Sequence, residues 1–259
     1  MHLQTNRFPE IDLIRGLAVL FMLVYHFLYD LDFFGIAEFK LNSGPLLWAG
    51  RGSAFLFIMV SGTALSISYS RAHKKKPEIE GNTSPGIFPK YLKRGVKLFS
   101  LGLLLTGITW IFLPGQYIIF GILHFFGVSA VLAYPFLKYG KENLFFGLFF
   151  GLFGLYLRHR TFGFSSLLWL GFRPEHFRSL DYFPIFPWFG VLLLGIYLGS
   201  SLYTGGKRQF EVPGFASGTD ISFKGLSSLG KHSLAIYFAH QPFFLGLFFL
   251  GGFIDPGIL

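Results

Sequence analysis

Apolar residues in this chain collect into long runs separated by short polar stretches, and the runs set the expected architecture. About 20 apolar residues are needed to carry a helix across a hydrocarbon layer roughly 30 Å thick. Runs at about 10–33, 44–70, 92–113, 116–137, 143–157, 183–203 and 233–251 predict seven spans, the fifth of them short. Residues 161–171 are apolar but too brief to cross, so they are expected to lie at the interface or to re-enter. The polar stretches 71–90, 158–183 and 204–232 then become loops of one domain covering 1–259. The pattern predicts an all-α, polytopic transmembrane helix bundle.

The loops give the bundle a direction. With the N-terminus inside, the inner side holds fifteen Lys and Arg and the outer side five, with Arg15 and Arg51 lying inside spans. Cytoplasmic loops carry such an excess, so the N-terminus is expected to be cytoplasmic. The first run contains Arg15 and His26, unlike the short uncharged core of a signal peptide, and is expected to be a retained helix. Lys74, Lys75 and Lys76, followed by Asn82, Thr83, Ser84, Pro85 and Gly86, read as a connector whose lysines meet anionic lipid headgroups. Gly147 with Gly151, and Gly195 with Gly199, have the spacing that lets helix backbones approach closely.

Composition agrees with a membrane protein. Hydrophobic residues make up 52% of the chain and charged residues 14%, and mean hydropathy is +0.54. The net charge of +9 sits between apolar spans rather than on one exposed face, which argues against nucleic acid. There is no cysteine, so disulfides, thiolate metal sites and a cysteine nucleophile are excluded.

The polar residues inside the spans need a reason, because Arg or Asp at mid-helix costs about 2.5–3.5 kcal/mol on insertion scales. In the first span, Arg15 and His26 stand eleven residues apart, on nearly one helix face and about 16 Å apart along the axis. Asp12 is placed to pair with Arg15, and Asp30 with His26. A histidine so placed reads as a general base or acyl-accepting nucleophile oriented by Asp30; the plainer alternative is an inter-helix hydrogen bond. Arg51, His124 and His240 fall at similar depths in other spans and form a candidate polar cluster with His26 in the outer half of the bilayer. Near the cytoplasmic ends of spans one and three, Arg15, Lys93, Arg94 and Lys97 form a cationic mouth suited to a polyanion such as the nucleotide of coenzyme A. Anchoring by basic residues on the inner side explains the same lysines equally well.

These residues also carry a resemblance. Ile11-Asp12-Leu13-Ile14-Arg15-Gly16 followed by His26 resembles the first-helix signature of the transmembrane acyl transferases, and Arg51 through Ser61-Gly62 resembles their second helix. The segments Phe120 to Gly127 around His124, Asp181 to Gly190, and Leu229 through Tyr237 to His240-Gln241-Pro242 are similar to small microbial members of the heparan-α-glucosaminide N-acetyltransferase catalytic-domain family. The resemblance implies transfer of an acetyl or acyl group from cytoplasmic acyl-CoA, as co-substrate and without a metal, to a sugar amine or hydroxyl outside. It implies an integral protein of a prokaryotic cytoplasmic membrane. His26 matches the first-helix histidine and Arg15 the arginine before it. Larger relatives have more spans, and residues 31–43 here lack the loop histidine of the eukaryotic namesake, which leaves that role to His26.

The expected roles are therefore His26 as base or acyl carrier, with Asp30 as its orienter. Arg15, Arg94 and Lys97 are expected on the CoA phosphates, and Arg51, His124, Asp181 and His240 on the acceptor. The outer segment with Arg158, His159, Arg160, Arg173, Glu175, His176 and Arg178 is expected to receive that acceptor or to form a solvated cap. Expected partners are acyl-CoA, a glycan or amino sugar, membrane lipids and a second copy of the chain. The leading rival is a proton-coupled transporter using the same buried charges, which the lack of discontinuous-helix signals in related halves disfavours. A second rival is a noncatalytic assembly or lipid-binding subunit.

Overall fold

The structure is a computed structural model that describes residues 7–41, 43–74, 86–211 and 221–254. Lys75, Lys76 and Asn82 to Pro85 of the expected connector lie outside the described residues. Among the described residues the fold is all-helical, with eight α-helices, four short 3-10 turns and no strand beyond two isolated bridges.

Among the described residues, five helices are long and apolar enough to cross a membrane: α1 Pro9–Phe33, α2 Gly44–Lys74, α3 Phe88–Phe112, α6 Ile185–Leu202 and α8 Ser233–Leu250. At 1.5 Å per residue the shortest of these reach about 27 Å and α2 about 46 Å. The two remaining expected spans are shorter, α4 Ile122–Leu132 having 11 residues and α5 Asn143–Arg158 having 16. The run at 116–137 does not make one long helix because Gly121 is extended and α4 starts only after it. Beyond α4, Tyr134–Phe136 forms a 3-10 turn around Pro135. Within the expected loop 204–232 stands an unanticipated helix, α7 Ile221–Lys231. Its eleven residues mix serine, lysine and glycine with leucine, too short and too polar to register as a span.

The chain forms two compact units, Met1–Val60 with Glu211–Leu259, and Ser61–Phe210. In the first, α1 buries Ile11, Ala18, Val19 and Met22 while Ile14, Phe21 and Val24 stay exposed, as a lipid-facing helix requires. Backbones approach closely where α1 meets α7: a Cβ at Gly16 would fall on the Leu226 carbonyl, and one at Gly230 on the Asp12 carbonyl. Phe27 of α1 packs on Phe244 and Phe248 of α8 at 5.4 and 5.6 Å. The Ser53 hydroxyl of α2 donates to the Ala18 carbonyl of α1 at 2.8 Å.

In the second unit, small residues again set the packing, as expected where lipid is as apolar as the helix surfaces. A Cβ at Gly190 of α6 would stand 2.6 Å from the Gly147 carbonyl of α5, and one at Gly199 would stand 2.8 Å from the Thr63 carbonyl of α2. Thr63 donates to the Gly195 carbonyl at 3.0 Å. The outer faces of α3 and α5 expose Leu103, Leu104, Ile111, Phe145, Phe149 and Leu152.

Candidate active site

The first unit holds Arg15, His26, Asp30, Arg51 and His240, and the second holds Arg94, Lys97, His124 and Asp181. Each group has its own geometry.

On α1, the Arg15 guanidinium pairs with Asp12 at 3.0 Å, the ion pair anticipated from their spacing. The other Asp12 carboxylate oxygen is buried without a hydrogen bond. Eleven residues on, His26 Nδ1 sits 2.8 Å from the Met22 carbonyl. A carbonyl only accepts, so Nδ1 carries the proton and the basic lone pair belongs to Nε2. This differs from the expectation in one respect. The group that fixes the His26 ring is the carbonyl one turn back on its own helix, while the nearly buried Asp30 accepts a 3.4 Å hydrogen bond from Gln241 of α8. An i,i+4 spacing brings two side chains onto one face, but the i−4 carbonyl is closer to a histidine ring than a carboxylate on the next turn.

Of the residues expected to cluster with His26 at this depth, His240 is the one in ring contact with it. Its ring lies against that of His26, centroids 4.8 Å apart at 78°. His240 Nδ1 faces the Tyr237 carbonyl at 2.7 Å, and its Nε2 is buried without a partner. Arg51 is exposed on α2, beside the point where Gly50 lets the Tyr25 ring of α1 approach.

In the second unit, His124 and Asp181 converge on the head of α4. The Gly121 N–H donates to His124 Nδ1 at 3.3 Å, and Nε2–H points to the Thr106 hydroxyl at 3.4 Å. That hydroxyl in turn donates to the Ile118 carbonyl at 2.7 Å. With Phe120 stacked on it and Phe99 in T-shaped contact, the 2%-exposed ring has neither nitrogen left for an acceptor. Asp181, just before α6, accepts from the Ile122 N–H at 2.8 Å, where a helix N-terminus favours a carboxylate. Leu180 N–H to Gln116 O and Phe183 N–H to Phe120 O, both 2.9 Å, tie the two approaches together. Thr106 and Gln241 are the contributors that sequence reasoning missed, since neither breaks the apolar pattern by charge.

Burial pushes the Asp181 carboxyl up to about 6 from its ordinary 3.8, against the opposing hydrogen bond from Ile122. Between these values the folded protein keeps a proton that the unfolded chain has released. The stability this group contributes is thus full below about pH 4 and is lost as pH rises through 6. Thermal unfolding in detergent should show the midpoint falling between pH 4.5 and 6.5, and Asp181→Asn, which keeps an accepting oxygen without the charge, should flatten that fall. An unchanged slope in the variant rules the assignment out.

Arg94 and Lys97 stand exposed on the first turns of α3. Beyond α5, residues Thr161, Phe162, Gly163 and Pro174 to Arg178, with Gly115, line a cavity of about 680 Å³. Glu175, His176 and Arg178 are exposed on its wall, and Phe162 and Phe177 are half-buried. The described residues contain no group of three or more His, Cys, Asp or Glu placed to hold a metal. Residues 7–242 match the family model described as heparan-alpha-glucosaminide N-acetyltransferase, catalytic. No curated protein and no solved structure gives a significant match.

Proposed function

Because the chain belongs to the heparan-α-glucosaminide N-acetyltransferase catalytic family, we propose that it moves an acetyl or other acyl group from cytoplasmic acyl-CoA to a sugar amine or hydroxyl at the outer side of the membrane. The observation that carries the chemistry is His26, an imidazole inside an apolar helix with its Nδ1 fixed on Met22 and its Nε2 left as the base. In the reaction the acceptor N–H or O–H gives its proton to Nε2 as its heteroatom bonds the thioester carbon. The C–S bond breaks, and the leaving thiolate recovers the proton. A variant of the same path lets Nε2 take the acyl group first and pass it on.

Seven crossings with a cytoplasmic N-terminus suit this direction, with α4 and α5 extended by their flanking turns. Arg15 lies near the inner end of α1 in that orientation, and Arg94 and Lys97 near the inner end of α3, where guanidinium and ammonium groups engage CoA phosphates. Arg51 stands near the outer end of α2 as an acceptor contact, and the Glu175–Arg178 cavity is of a size that accommodates one sugar unit or two. His124 and Asp181 contribute by holding the head of α4.

Proteoliposomes loaded with labelled acetyl-CoA and bathed in a panel of amino sugars and envelope glycans provide the test. Label should appear covalently on an external acceptor, independent of membrane potential. Potential-dependent accumulation of unmodified solute, indifferent to acyl-CoA, would replace this reading with that of a transporter.

A further inference from the structure

Two imidazoles share one place in the first unit, and each has the same nitrogen occupied. The carbonyls of Met22 and Tyr237 fix a proton on Nδ1 of His26 and of His240, which leaves two Nε2 lone pairs. The Nε2 of His240 is buried and accepts nothing, an orphan that normally marks a redox or catalytic role or an absent donor. The rings are in edge contact at 4.8 Å. Gln241, next to His240, holds Asp30, which follows His26 by one turn, so α1 and α8 are joined beside the pair. Phe27 packs on Phe244, which lies 6.0 Å from the His240 ring. Tyr25 packs on His26 and Tyr237 on His240, and Arg51 of α2 lies beside Tyr25.

We infer that His240 is the proton partner of His26, the two imidazoles holding one transferable proton between them. This rests on the acyltransferase reading for its consequence. The proton taken from the acceptor by His26 Nε2 passes to His240 Nε2 and from there to the CoA thiolate, so both rings end neutral and no proton is gained or lost. Two imidazolium ions at this separation repel each other, so the pair holds a single extra proton at a time. His240 thereby acts through His26, in place of the acceptor contact its depth in the bilayer first implied.

The test uses the full-length protein in detergent or nanodiscs. His240→Gln keeps the volume and polarity but removes the base. It should lower kcat by about 10²–10⁴-fold, leave KM for acetyl-CoA and acceptor within about twofold, and leave the unfolding midpoint unchanged. Added imidazole should restore part of the rate in His240→Ala. Independently of turnover, ¹⁵N-histidine NMR should show the parent pair taking up one proton where each single variant shows its remaining histidine titrating alone. Parent kcat in His240→Gln, or two independent titrations in the parent protein, overturns the inference. If the parent transfers no acyl group to any acceptor, the functional reading fails and the NMR titration alone decides whether the proton is shared.

Discussion

Replacing His26 by alanine is expected to lower acyl transfer from labelled acetyl-CoA by at least about 10²-fold, the lower bound for losing a positioned general base, and to lower it further if the ring also carries the acyl group. The loss should fall on kcat. In the proposed reaction the ring touches the reacting atoms, whereas the proposed CoA contacts at Arg15, Arg94 and Lys97 are about 16 Å away along α1 in the case of Arg15, or on another helix. His73→Ala is the matched control. His73 stands in the last turn of α2, with its Nδ1 3.3 Å from the Tyr69 carbonyl, and has no part in the proposed chemistry. Equal activity in the two variants would remove His26 from the reaction. Asp30→Asn offers a further contrast: since Asp30 bonds Gln241 rather than His26, it should disturb the α1–α8 join more than it lowers the basicity of the ring.

The second large effect is on folding. Gly16→Ala is expected to destabilise the protein by about 1–3 kcal/mol, the range for overpacking a tight contact, because its Cβ would fall on the Leu226 backbone carbonyl. A backbone atom cannot swing aside as a side chain can, so α7 has to move off α1. Gly107→Ala on α3 is the comparison, since nothing lies within 4 Å of its Cβ. Alanine is there a better helix former by about 1 kcal/mol, so this variant should melt at or above the parent temperature. If both variants melt together, α7 does not rest on α1 as described. Arg15, a proposed CoA contact, precedes Gly16, so on that proposal the first variant should also weaken acyl-CoA binding.

Most of the helical layout was legible because lipid imposes a length and an apolar composition on any segment that crosses it. Helices α1, α2, α3, α6 and α8 begin and end within a few residues of the runs that foretold them. Helix α7 was not legible, because its seat against α1 depends on Gly16 and Gly230, each of which meets backbone from a distant part of the chain. The site divides in the same way. Asp12–Arg15 could be read from helical spacing, since both partners lie on one rigid element. Asp30 could not be placed by spacing, because Gln241, more than two hundred residues away, competes for its carboxylate. Histidine at a given depth likewise left the fate of His124 open; the N–H of Gly121 and the hydroxyl of Thr106 occupy both of its nitrogens.

The sequence by itself determined a helical membrane protein, its family, the ion pair at the start of α1 and the candidacy of His26, because each depends on the solvent or on neighbours within one helix. Only the tertiary structure decided that His26 meets His240, that Asp30 serves the α1–α8 join, and that His124 and Asp181 cap α4. Those choices are made by hydrogen-bond donors and acceptors arriving from distant helices, and an apolar pattern records how deep a residue sits but not which partner it meets there.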